Sequence, residues 1–123
     1  MIPRKVALVF GTRTEAVKLA PVCQELRRRS DKFSAEIIVT AQHREMLDQM
    51  LNTFQLTADV DLDIMQPEQT LADITTRALT ELQKVFSQRQ FDIVMVQGDT
   101  CTCFAAALAA YYQRIDVAHV EAG

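Results

Sequence analysis

The residues best suited to chemistry in this sequence are Arg13 and Lys18 after one glycine, Asp99 after a second, and Glu121 just before a third. Gly11 follows the apolar run Val6–Phe10, Gly98 follows Ile93–Gln97, and Gly123 closes Val117–Ala122. An arginine at a helix start can fork onto phosphate or carboxylate, and free amides with the helix dipole favour an anion there. Two carboxylates from neighbouring strand ends can divide acid and base work when their surroundings separate their pKa values. Plainer roles stay open. Arg13 and Lys18 also read as solvated helix charges, and Asp99 as the cap of the helix that follows it.

The remaining reactive side chains are less informative. His119 reads as a strand histidine satisfied by a backbone partner. Cys101 and Cys103 stand at a helix N-terminus, where a thiol pKa can fall. A metal site would need more ligands, and only His43 and His119 remain to supply them. The pair therefore reads as small buried side chains, with no metal implied. The glycine pattern is also exclusive: the first loop has neither the Gly-x-Gly-x-x-Gly of dinucleotide sites nor a second glycine followed by Lys and Ser/Thr. No nicotinamide or ATP site of the usual type is expected, and no cofactor is implied.

These loops need a frame that brings strand ends together. Val6–Phe10 is a short continuous apolar run, as a strand buried on both faces requires. Thr12-Arg13-Thr14-Glu15 matches a capping box, with Thr12 as N-cap and Glu15 reaching back to its amide. The helix behind it places Ala16, Leu19, Ala20, Cys23 and Leu26 on one face, and Pro21 should kink it. A second strand is expected over Ala35–Thr40. A helix over His43–Thr53 is expected to bury Met46, Leu47, Met50 and Leu51. Val60–Ile64 alternates apolar and acidic residues, which suits a short edge strand with Asp61 and Asp63 facing water. Thr70 starts a helix carrying Leu71, Ile74, Ala78, Leu82 and Val85 inward and ending near Gln90. A strand over Ile93–Val96, a helix over Thr100–Gln113 and a strand over Val117–Val120 complete the pattern. The expected fold is α/β, a doubly wound and mostly parallel sheet, whose ligand edge lies at the carboxyl ends of the strands.

Composition narrows the class. The 123 residues suffice for one compact domain with a core. A hydrophobic fraction of 49% with 24% charged residues is that of an ordinary soluble globular chain rather than a disordered one. The net charge of -3 and the lack of a basic stripe beyond Arg27-Arg28-Arg29 argue against nucleic acid as a partner. Those arginines suit the negative end of a helix dipole. No run approaches a membrane span, and Met1–Lys5 leads straight into a strand with no room for a secretory signal. Three cysteines without a framework spacing suit reduced thiols and a cytoplasmic location.

At Phe10–Lys18, Thr40–Gln49, Gln97–Thr100 and His119–Gly123 the chain closely resembles the bacterial non-hydrolysing UDP-N-acetylglucosamine 2-epimerases. The four motifs stand in family order and span the whole chain. The resemblance implies a two-domain GT-B architecture, of which residues 1–123 would be an incomplete Rossmann-like N-terminal domain. The family continues from the last glycine into Leu-Arg-Thr. Its reaction interconverts UDP-GlcNAc and UDP-ManNAc by elimination of UDP to a glycal and re-addition.

Carried onto this chain, the resemblance implies catalytic roles for Asp99, Glu121, Arg13 and Lys18. It implies substrate or effector contacts for Gly11, Thr12, Gln42, His43 and Thr100, with Gln42 and His43 near an interdomain cleft. It further implies a UDP-sugar substrate, a homodimer when full length, and a segment that alone does not turn over. The sequence departs from the family pattern at Thr14, where proline is usual, and at Cys101 and Cys103, where threonines are common. Rival readings are a GT-B glycosyltransferase and a structural or assembly segment. A receiver-type signalling module is rejected, because the first strand ends in Gly-Thr-Arg instead of an acidic cluster.

Overall fold

Strand β1 (Arg4–Phe10) is the axis of the molecule because residues Val6 to Phe10 are buried on both faces. The computed structural model describes residues 2–121. After β1 come α1 (Arg13–Arg28), β2 (Phe33–Val39), α2 (Arg44–Thr53), β3 (Val60–Asp61), α3 (Leu71–Gln88), β4 (Ile93–Gln97), α4 (Cys101–Tyr112) and β5 (Asp116–Val120). The five strands form one sheet in the order β3-β2-β1-β4-β5. Every pairing is parallel, with Leu8 opposite both Ile37 and Met95. The expected doubly wound α/β sheet is what forms, and it is parallel throughout.

Alternate residues of a strand point to opposite faces, so β1 feeds two cores at once. Val6, Leu8 and Phe10 pack with Leu19 and Cys23 of α1 and Leu47 of α2. Ala7 and Val9 face Ala78 and Leu82 of α3 and Ala105, Ala106 and Ala109 of α4. The alanine run of α4 lets it lie close on the sheet, as a helix apolar nearly all round should.

Several local expectations need correction. Helix α1 carries Pro21 inside it without ending there, which leaves the expected kink untouched. Met46 is 52% exposed and Leu71 70% exposed, so α2 and α3 each bury a narrower stripe than their periodicity suggested. Strand β3 is only two residues long. Asp61 and Asp63 are exposed as expected, and both also accept hydrogen bonds from the Arg44 guanidinium, at 2.8 and 2.9 Å. Asp48 is a third partner, accepting from Arg44 at 3.2 Å, so Arg44 fastens α2 to the β3 edge. Among the described residues, no helix is long and apolar enough to cross a membrane.

Candidate functional site

Parallel pairing of β1, β4 and β5 puts their carboxyl ends at one edge of the sheet, and the loops that follow converge there. The β1 loop enters α1 through Thr12, whose side chain accepts from the Glu15 amide to close the expected capping box. The β4 loop turns at Gly98, whose φ of +80° is a conformation that favours glycine. Gln97 pairs with Val120, which brings Glu121 alongside the β4 loop.

Glu15 joins the first two loops. It is 1% exposed. One carboxylate oxygen accepts from the Gly11 amide (3.1 Å), the Thr12 amide (3.0 Å) and the Thr12 hydroxyl (2.9 Å). The other accepts from the Thr100 hydroxyl at 2.9 Å. Burial pushes the Glu15 carboxyl above its ordinary range, against the downward pull of these donors. The amides of Gly11 and Thr12, just ahead of α1, are therefore already taken by the protein's own carboxylate.

That carboxyl gives a pH prediction. A folded value above the unfolded one means the folded chain holds the proton to higher pH. This contribution is complete below the unfolded value and is lost as pH rises through the folded value. The stability gap between the wild-type chain and Glu15→Gln should therefore shift in favour of the variant from about pH 4 to about pH 7. Urea midpoints at the two ends measure it, and a pH-independent gap would contradict it.

The Asp99 loop is held from its other side as well. The Gly98 carbonyl accepts from Cys103 Sγ at 3.1 Å and lies 2.7 Å from His119 Nε2. His119 thus has the backbone partner expected of it. The Cys103 thiol is pushed up to about 11, first by burial and then by Glu15, Asp99 and Glu121. A lowered, reactive thiol is not what the helix start produces here. The cap of α4 is Thr100, whose hydroxyl accepts from the Cys103 amide at 3.1 Å. Asp99 is left outside the helix with its carboxylate not spent on the cap.

Lys18, Asp99 and Glu121 line one hollow of about 190 Å³, with Thr14, Glu15, Gln97, Gly98 and Thr100. Asp99 also borders a larger and mainly apolar hollow of about 480 Å³, walled by Val96, Phe104 and Val117. The first has the chemistry: one ammonium and two exposed carboxylates, set over a buried third. His119 Nε2 lies 3.9 Å from the Glu121 carboxylate.

The other expected residues lie apart from this hollow or turn inward. Arg13 is exposed at the first position of α1. Gln42 accepts from the Thr102 hydroxyl at 3.1 Å, and the His43 amide donates to the Gly11 carbonyl at 3.0 Å. Their segment is thereby stitched beneath the β1 loop. The hydroxyls of Thr12 and Thr100 both donate to Glu15, so neither proton is left for a ligand. Gly123 lies outside the described residues. Sequence reasoning saw Glu15 as a local cap and missed its reach to Thr100, 85 residues away. Among the described residues, no group of three or more His, Cys, Asp or Glu is placed to hold a metal ion.

Comparison with known proteins gives consistent results. A sequence profile of the family described as UDP-N-acetylglucosamine 2-epimerase matches residues 24–123. The UDP-N-acetylglucosamine 2-epimerase of Neisseria meningitidis serogroup A is 52% identical over 119 residues, 97% of this chain and 32% of that protein. The enzyme of the same name from Escherichia coli K12 is 53% identical over 119 residues, 97% of this chain and 31% of that protein. The crystal structure of UDP-GlcNAc 2-epimerase from Neisseria meningitidis bound to UDP-GlcNAc superposes with a TM-score of 0.91 at 52% identity, covering 97% of this chain and 32% of that one. The chain spans about a third of the length of the relatives it matches.

Proposed function

The chain belongs to the UDP-N-acetylglucosamine 2-epimerase family, and from that premise we propose that residues 1–123 form part of the N-terminal domain of an enzyme interconverting UDP-GlcNAc and UDP-ManNAc. The single observation that supports this most is the hollow shared by Lys18, Asp99 and Glu121 at the sheet edge. Elimination of UDP needs a base for the C2 proton and positive charge where the diphosphate departs; re-addition needs the proton returned from the opposite face. Asp99 and Glu121 are the proton carriers in this reading, Lys18 with Arg13 meets the phosphates, and Gln42 and His43 border a cleft to a second domain. The full-length enzyme is a cytoplasmic homodimer on the same reading, and this segment alone supplies one wall of the cleft.

The test uses the full-length gene product, UDP-GlcNAc and no acceptor in D2O. Deuterium at C2 together with UDP-ManNAc is the expected result. Glycosyl transfer to an added acceptor without exchange would overturn the reading in favour of a GT-B transferase. The purified 1–123 polypeptide is expected to show no exchange under the same conditions, and robust turnover by it would refute the single-wall reading.

A further inference from the structure

We propose that Glu15 is a positioning residue of this site, which orients Asp99 by holding the Thr100 hydroxyl next to it. The inference rests on reading Asp99 as a proton carrier of the epimerase reaction.

The geometry separates this duty from ordinary helix capping. Helix α3 has its own capping box, and there an aspartate closes it: the Thr70 amide donates to Asp73 at 3.0 Å and the Asp73 amide to Thr70 at 3.1 Å. The shorter acid is enough for a cap. In α1 the acid is one methylene longer, and one oxygen alone completes the capping bonds to Gly11 and Thr12. The second oxygen is thereby free to reach across to Thr100. The longer side chain thus adds a bond between loops that the cap does not need.

That bond acts on Asp99 from one side, while the Gly98 carbonyl is held by Cys103 and His119 on the other. The Asp99 backbone is fixed at both flanks while its side chain stays exposed in the hollow. Glu15 lies buried at the floor and acts through Thr100. Catalysis by an oriented carboxylate is sensitive to small displacements, and about a hundredfold can follow from a shift of about 1 Å.

The experiment measures kcat and KM for UDP-GlcNAc epimerisation with the full-length gene product carrying Glu15→Asp, Thr100→Val, Thr100→Ser or the Glu15→Asp/Thr100→Val pair. Glu15→Asp and Thr100→Val should each lower kcat by about tenfold to a hundredfold, with KM within about twofold. Thr100→Ser, which keeps the hydroxyl, should recover most of what Thr100→Val loses. The double variant should be no worse than the poorer single one, because both remove the same bond. Losses that multiply would overturn the proposal. Equal behaviour of the valine and serine variants would overturn it too, as would a rise in KM at constant kcat. If Glu15→Asp fails to fold, the valine and serine pair still decides. An inactive wild-type protein would remove the reaction and this role together, whereas an active wild type with unaffected variants would remove the role alone.

Discussion

Replacing Asp99 with asparagine in the full-length gene product should lower kcat for epimerisation, and C2 exchange with it, by about a hundredfold to ten-thousandfold. The substitution keeps the size of the side chain and removes its ability to take and return a proton. Two features make the effect specific. Thr100 caps α4, so Asp99 is not a structural cap whose loss would unravel the helix. Gly98, Thr100 and His119 hold the loop through groups other than the Asp99 side chain. The variant should therefore melt within about 0.5 kcal/mol of wild type, as exposed substitutions away from packed features do. A folded variant that retains more than about a tenth of wild-type kcat would remove Asp99 from the proton-transfer role, because general acid–base catalysis contributes at least about a hundredfold.

The second large effect concerns stability. Gly11→Ala should destabilise the chain by about 1–3 kcal/mol, the usual cost of overpacking. A Cβ at this position would lie 2.0 Å from Thr40 Oγ1, 2.9 Å from Thr102 Oγ1 and 3.2 Å from the Gln42 amide nitrogen. Thr40 is fully buried, and its hydroxyl pairs with that of Thr102 at 2.9 Å. Clearing the clash would break or distort a buried hydrogen bond that holds the end of β2 against the start of α4. Urea unfolding measures the loss. Adding Thr40→Ala to Gly11→Ala should return part of it, since the nearest obstructing atom is then gone. Full stability in the single variant would show that Thr40 can turn aside without penalty.

Gly11 and Gly98 also show what could be read in the sequence and what could not. Both stand after buried strands, where a glycine permits a turn and a close approach by a ligand. Gly98 does use a positive φ. Gly11 does not; it is needed because Thr40, Thr102 and Gln42, distant in the chain, crowd the space where a side chain would go. The strands, the α1 capping box and the core faces of α1 and α4 were legible because they follow from local periodicity and capping chemistry. Met46 and Leu71 were misplaced because a helical stripe shows which face turns inward but not how far its neighbours cover it. The aspartates of the β3 edge do face water as expected, but their pairing with Arg44 was not legible because that partner comes from another element. Asp99 and Glu121 were legible together, since each stands at the end of a strand expected in one parallel sheet, whereas the direction of Lys18, in the second turn of α1, was not. The link from Glu15 to Thr100 left no local trace.

The sheet order has a consequence for how the chain must come together in time. β1 pairs on one side with β2, about one helix later in the chain, but on the other with β4, where Val6 meets Ile93. A segment containing β1, α1, β2 and α2 can gather the core on the face of Leu8 and Phe10 while Ala7 and Val9 still lack their cover. Closing the second contact demands a much longer loop, and such long-range pairings slow folding. The bond from Glu15 to Thr100 spans that same closure. The pocket with Lys18 and Asp99 therefore cannot be complete until the two halves of the sheet have met, so an intact site also reports that this long-range closure has been made.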